Sequence, residues 1–117
     1  MQFEIAELEN GIKQATLVGR LDLKGTNEID DSFTFQISSA KAPVIVDMSG
    51  VEFLASIGIR MLLSSARALS RRGGKMVLLS PTPMVEEVLV TAGIDELIEI
   101  YNNLDSARAA LASITVE

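Results

Sequence analysis

The sequence predicts an α/β fold on a mixed, mostly parallel sheet that opens with a β-hairpin. Three observations carry that prediction. Two extended runs, 3–8 and 12–20, flank Asn10-Gly11, a strong short-range hairpin signal. From residue 44 onward, short apolar runs of strand length alternate with segments of helical periodicity. Those helical segments also carry their own start and stop residues, Gly73-Gly74, Thr82-Pro83, Gly93 and Asn103. The predicted order is β-β-α-β-α-β-α-β-α.

Taken in order, the second run mixes Ala15, Leu17 and Val18 on both of its faces, which predicts a strand covered on both sides. Gly19-Arg20-Leu21-Asp22 closes it. Residues 26–39 fit two patterns: Ile29, Phe33 and Ile37 recur at helical four-residue steps, while Phe33, Phe35 and Ile37 alternate as in a strand. Thr26 and Asn27 as N-caps, with three acids in the first turn, favour the helix. Val44-Ile45-Val46, after Pro43, predicts a short buried strand ending at Asp47. Ser56 to Arg72 reads as a helix whose stripe of Ile59, Leu62, Leu63, Ala66 and Leu69 faces the core. Met76–Leu79 is the next buried strand. Thr82 and Pro83 then open a helix as N-cap and first residue, with Val85, Val88, Leu89 and Ala92 inward and Gly93 as its stop. Leu97–Tyr101 predicts a short strand, and Asn103 caps a last helix with Leu104, Ala107, Leu111 and Ile114 inward. With no repeat, linker or low-complexity stretch, residues 1–117 are expected to form one domain.

Composition narrows the chemistry. The 117 residues are 48% hydrophobic and 22% charged, a globular balance, and no apolar run exceeds four residues, far short of a membrane span. MQFEIAELEN has no basic leader ahead of an apolar stretch, so no signal peptide is expected. Without cysteine there is no disulfide framework, and a cytoplasmic location is expected. The absence of both His and Cys removes the imidazole base, the thiolate nucleophile and the usual zinc ligands. A net charge of −6 with 4% aromatics argues against direct nucleic-acid binding.

The charge is unevenly placed. No acid lies between Phe53 and Val85, a stretch that holds Arg60, Arg67, Arg71, Arg72 and Lys75. Ser56, Arg60, Ser64, Arg67 and Arg71 follow the steps of one helical face, opposite the apolar stripe. Such a face is either simply solvated, with its last basic residues complementing the helix dipole, or a docking surface for an acidic partner or an anion. Ser56 itself has two readings. As N-cap its hydroxyl would accept from a backbone N–H. The same place, at the positive end of a helix and one turn from Arg60, suits a phosphate, so the serine is also a candidate phosphorylation site. A small-molecule site or weak enzyme centred there would have Asp22 and Asp47 as its carboxylates.

Other motifs carry less. Gly73-Gly74-Lys75 follows a helix and lacks the earlier glycine of a P-loop. Asp30-Asp31, Glu86-Glu87 and Asp95-Glu96 lack calcium-loop spacing, and the five methionines are scattered.

From Val46-Asp47 through Val51, Phe53, Ser56, Gly58 and Ile59, the chain resembles the STAS domain family, the fold of anti-sigma factor antagonists. The pattern is a strand ending in Asp, an apolar-aromatic step, then a Ser-x-Gly-apolar helix start. Gly19-Arg20-Leu21-Asp22 resembles the family's early Gly-x-Leu-Asp motif, and Gly73-Gly74 and Val88-Leu89 through Ala92-Gly93-Ile94 resemble later landmarks. The resemblance implies a single STAS domain with helices packed mainly on one side of the sheet, and no enzyme activity or cofactor. It further implies partner switching: the antagonist binds an anti-sigma factor that is also a serine kinase of the ATPase type, and a sigma factor is freed. Phosphorylation of Ser56 ends the binding, and a metal-dependent serine phosphatase restores it. The implied partner-binding residues are Asp22, Ser56, Ile57, Gly58, Arg60 and Arg67. The chain departs from the family pattern beside the serine, with Ala55 for Asp before it and Ile57 for Ser or Thr after it. The alternative is a STAS subunit that never switches, fixed in a signalling scaffold or on a transporter ATPase.

Overall fold

The computed structural model describes residues 1–40 and 42–112. Its elements are β1 (Gln2–Glu7), β2 (Lys13–Leu21), α1 (Leu23–Ser38), β3 (Val44–Leu54), α2 (Ser56–Arg71), β4 (Met76–Leu79), α3 (Pro83–Thr91), β5 (Ile100–Tyr101) and α4 (Leu104–Leu111). The five strands form one sheet in the order β1-β2-β3-β4-β5, with β1 and β2 antiparallel and the other pairs parallel. The hairpin pairs Glu7 with Lys13 around a short 3₁₀ turn at Glu9–Gly11, as Asn10-Gly11 predicts.

Alternation along the strands divides the core in two. Val44 and Val46, with Met76 and Leu78, face a main cluster containing Ile29, Phe33 and Ile37 of α1, Leu62 and Leu69 of α2, and Val85 and Leu89 of α3. Ile45, Val77 and Leu79 face the other way, onto Ala107 and Leu111 of α4. Three helices therefore cover one face and one helix the other. Because α4 is short, the covering of β2 is one-sided beyond Ile12: Ala15 and Leu17 are buried, but Val18 is 44% exposed. This corrects the expectation of a strand covered on both sides.

Four further expectations are corrected. α1 is a helix, and the 72% exposure of Phe35 shows why the strand reading fails. It begins at Leu23, however, with Asp22 rather than Thr26 or Asn27 as its cap, and no acid lies in its first turn. β3 does not stop at Asp47; it runs on to Leu54 beside β2. β5 is only two residues long, because the Leu97 and Ile98 N–H groups turn back onto the Ile94 carbonyl after the 3₁₀ turn at Ile94–Glu96. The inward stripes are also shorter than expected: Ala92, after α3, is exposed and Leu104, at the start of α4, is 36% exposed, while Ile114 lies outside the described residues. β4, and the caps of α3 and α4, stand where expected: Thr82 Oγ1 accepts from the Val85 N–H at 3.4 Å, and Asn103 Oδ1 from the Ser106 N–H at 2.8 Å.

Candidate functional site at the start of α2

The parallel pairing of β2 with β3 sets Leu21 opposite Leu54, so two strands end side by side and each feeds a helix. The Ala55 N–H donates to the Leu21 carbonyl at 2.9 Å, which holds Ala55 extended and makes it the N-cap of α2. Ser56 is consequently the first residue inside the helix and not its cap, a correction to the capping reading. Alanine has no side-chain oxygen to offer, and no side chain caps this end. The Gly58 and Ile59 N–H groups both donate to the Ala55 carbonyl, at 3.0 and 3.1 Å, which leaves the Ser56 and Ile57 amides as those without an intrahelical acceptor, at the exposed Ser56.

Gly58 seats this first turn on the sheet. A Cβ there would lie 2.9 Å from both Leu21 Cβ and Leu54 Cδ1, closer than real side chains tolerate. Gly58 is buried, so its part is to position the turn rather than to offer surface, while Ile57 is half-buried. Ser56, Arg60, Ser64, Arg67 and Arg71 are all exposed, as their helical spacing predicts.

The neighbouring strand end is built differently. Asp22 Oδ1 accepts from the Gly25 N–H at 2.8 Å and caps α1. Its Oδ2 accepts from Arg20 Nε at 3.4 Å. The Gly25 amide, and after it the Arg20 guanidinium, hold the Asp22 carboxyl below its ordinary pKa. Arg20 in turn lies over the Phe53 ring, 4.5 Å from its centroid. Asp22 thus caps one helix and pairs with Arg20 while its side chain stays 37% exposed. Asp47 is elsewhere: it accepts from the N–H and Oγ of Ser49, seven residues before Leu54 and so roughly 20 Å along the strand. Asp22 and Asp47 do not meet, which removes the carboxylate site considered from the sequence.

Two surface features went unread in the sequence. Phe53 is 37% exposed, and Met84 at the start of α3 is 58% exposed. Phe53 turns outward because β3 carries an extra residue, Glu52, between the pairs Gly19–Val51 and Arg20–Phe53. A two-residue period cannot register such a bulge. Met84 joins Ile59, Val88 and Ser56 along an open groove of about 470 Å³ between α2 and α3. The apolar residue in the exposed first turn after Pro83 was the available signal for it. Among the described residues no helix is long and apolar enough to cross a membrane.

Comparison with known proteins agrees with this architecture. The chain is 25% identical over 101 residues to BtrV of Bordetella bronchiseptica, which is named as an anti-sigma factor antagonist; the match covers 86% of this chain and 87% of that one. The crystal structure of TM1081 from Thermotoga maritima, also named as an anti-sigma factor antagonist, superposes with a TM-score of 0.85 at 18% identity, covering 94% of each chain. SpoIIAA of Bacillus in its phosphorylated form superposes with a TM-score of 0.68 at 21% identity, over 93% of this chain and 98% of that one. The model of the STAS domain matches residues 5–107, nearly the whole length, and the chain belongs to the STAS domain family.

Proposed function

We propose that this protein is an anti-sigma factor antagonist, switched by phosphorylation of Ser56. In its unmodified state it binds an anti-sigma factor of the serine-kinase ATPase type in the cytoplasm, and a sigma factor is released. The kinase then transfers the γ-phosphoryl group of ATP to Ser56 Oγ, releasing ADP and the hydroxyl proton. A metal-dependent serine phosphatase hydrolyses the phosphoserine and restores binding. The docking surface centres on Ser56 and Ile57 with Arg60 and Arg67 along α2, while Asp22 and Gly58 hold the two helix starts beneath it.

The observation that carries this reading is the exposed Ser56 hydroxyl at the first position of a helix with no side-chain cap. A kinase can reach it without unfolding the helix, and the free amides and dipole tolerate the phosphate once attached. The added charge of about −1.5 to −2 lies in the middle of the surface to be buried, where desolvation and repulsion oppose rebinding. The likeness to proteins named as anti-sigma factor antagonists, one of them solved in a phosphorylated form, supports the same reading.

Mass spectrometry after incubation with the cognate anti-sigma kinase and ATP tests the switch. One phosphate is expected, on Ser56, and none on the Ser56→Ala variant. Binding without any phosphate transfer would favour the fixed STAS subunit, and full phosphorylation of Ser56→Ala would remove the assignment.

A further inference from the structure

The other end of α2 carries features of which the Ser56 reading uses Arg67 alone. Arg67, Arg71 and Arg72 are exposed there, about 16–24 Å along the helix from Ser56. The chain has 16 acids, yet the ion pairs among the described residues are Met1–Glu28, Arg20–Asp22, Lys75–Glu99 and Arg108–Glu9. None of them involves an arginine of α2. The helix dipole accounts for a cation in the last turn, such as Arg71, but not for Arg67 one turn earlier.

Beside these arginines lies an apolar trough. Leu63, Ala66, Arg67 and Ser70 of α2 face Leu97 and Ile98 across a hollow of about 170 Å³. Ala66, Ser70 and Leu97 also line an adjoining hollow of about 290 Å³ that reaches Gly74, Lys75 and Glu99. Leu97 is 64% exposed, and its place is set by rigid neighbours. Ile94 and Ile98 on either side of it are buried, and the N–H groups of Leu97 and Ile98 both donate to the Ile94 carbonyl, at 2.9 and 2.8 Å. The fold thus holds a large apolar side chain out toward water, next to two hollows and a row of arginines that form no ion pair among the described residues.

We propose that this trough is a second docking site, which takes an acidic amphipathic helix of a partner protein. The occupant's apolar side chains would enter the hollow against Leu63, Ala66 and Leu97, and its polar side chains the adjoining one at Ser70 and Lys75. Its carboxylates would meet Arg67 and Arg71 along the lip, where arginine's fork geometry suits carboxylates in pairs. An acidic occupant is selected by charge on the α2 side: α2 bears no acid and Lys75 pairs with Glu99, so the occupant's carboxylates lie along α2 and away from the exposed Asp95 and Glu96 before Leu97. The site shares Arg67 with the Ser56 docking surface but leaves Ser56 itself outside, so it engages a partner whether or not the serine is modified.

Backbone amide NMR of the full chain tests the proposal, with a short helical peptide of leucine and glutamate as probe. Shifts are expected at Leu63–Gly74 and Leu97–Glu99. The Arg67→Glu, Arg71→Glu double variant should bind about tenfold more weakly, and Leu97→Ser should weaken binding as well. Both variants alter exposed side chains, and their amide spectra report whether the fold is kept. Ser56→Asp should leave the affinity unchanged, so this site and the phosphorylation switch succeed or fail separately. The lysine counterpart of the peptide should not bind. Absence of shifts at these amides, equal binding of the lysine peptide, or binding indifferent to the arginine reversals would overturn the proposal. So would binding of the chain to phosphatidylserine vesicles with no response to the acidic peptide, which would assign the arginines to a lipid surface.

Discussion

The first turns of α1 and α2 start from neighbouring strand ends, at Leu21 and Leu54, yet one is closed and the other open. At α1 the Asp22 carboxylate supplies both an acceptor for the Gly25 amide and a negative charge at the positive end of the helix. Gly25 then lies so close to the end of β2 that a Cβ would fall 1.8 Å from the Arg20 carbonyl oxygen. At α2 the cap is Ala55, which offers nothing to the helix, and the first helical residue is an exposed serine. A chain with 16 acids has thus placed one at the first of these starts and none at the second. The difference fits the proposed switch, in which a phosphate on Ser56 would supply α2 with a removable anion where α1 has a permanent one.

That contrast can be broken in steps. The largest effect is expected from Gly25→Ala, which must displace backbone at the closed start and should cost about 3 kcal/mol or more. Gly58→Ala meets side-chain atoms at 2.9 Å instead and should cost less, about 1–3 kcal/mol. Chemical denaturation of the two variants against the parent gives both values, and a larger loss for Gly58→Ala would reverse the assignment of the tighter start.

Asp22→Ala should lower the melting temperature further than Ser56→Ala does, because only Asp22 caps a helix. Its pH dependence has a definite sign. The folded-state pKa lies below the ordinary 3.8, chiefly through the Gly25 amide. The carboxylate's contribution is therefore complete above about pH 4 and disappears as the pH falls through the lower folded value. Thermal melts of parent and variant should converge in strong acid, and a gap that stayed constant would show that the carboxylate charge is not what closes this start. The smallest effect is expected at the open start: Ser56→Asp should change stability by no more than about 1 kcal/mol, since an acid in the first turn suits the dipole. A large loss would mean that the Ser56 position cannot hold the charge the switch requires.

Much of this was legible in the sequence wherever the signal is local. Thr82-Pro83, Asn103 and the apolar run Met76–Leu79 each act within a few residues, and β4, α3 and α4 stand where those residues predict. What failed depends on neighbours distant in the chain. β3 appeared to end at Asp47 because Ser49, Gly50 and Glu52 interrupt its apolar pattern. It continues because β2 lies alongside, with bulges that absorb the extra residues. Asp22 closes the strand in the sequence reading, with Thr26 or Asn27 as the cap of the helix after it; it caps that helix itself because Gly25 lets the first turn approach Arg20 closely. Ser56 was legible as an exposed serine at a helix start but displaced by one residue. The hydrogen bond from Ala55 to Leu21 that sets the cap crosses between strands and leaves no mark in the local sequence.

The claim that α2 is left open for a removable charge is tested most directly by titration calorimetry with the cognate anti-sigma kinase. The parent and Ser56→Asp are titrated under the same buffer, with melting temperatures measured alongside. The account predicts that Ser56→Asp keeps the parent's melting temperature and binds at least about tenfold more weakly, a loss of about 1.4 kcal/mol or more. Equal affinity of the two proteins for the kinase would contradict it.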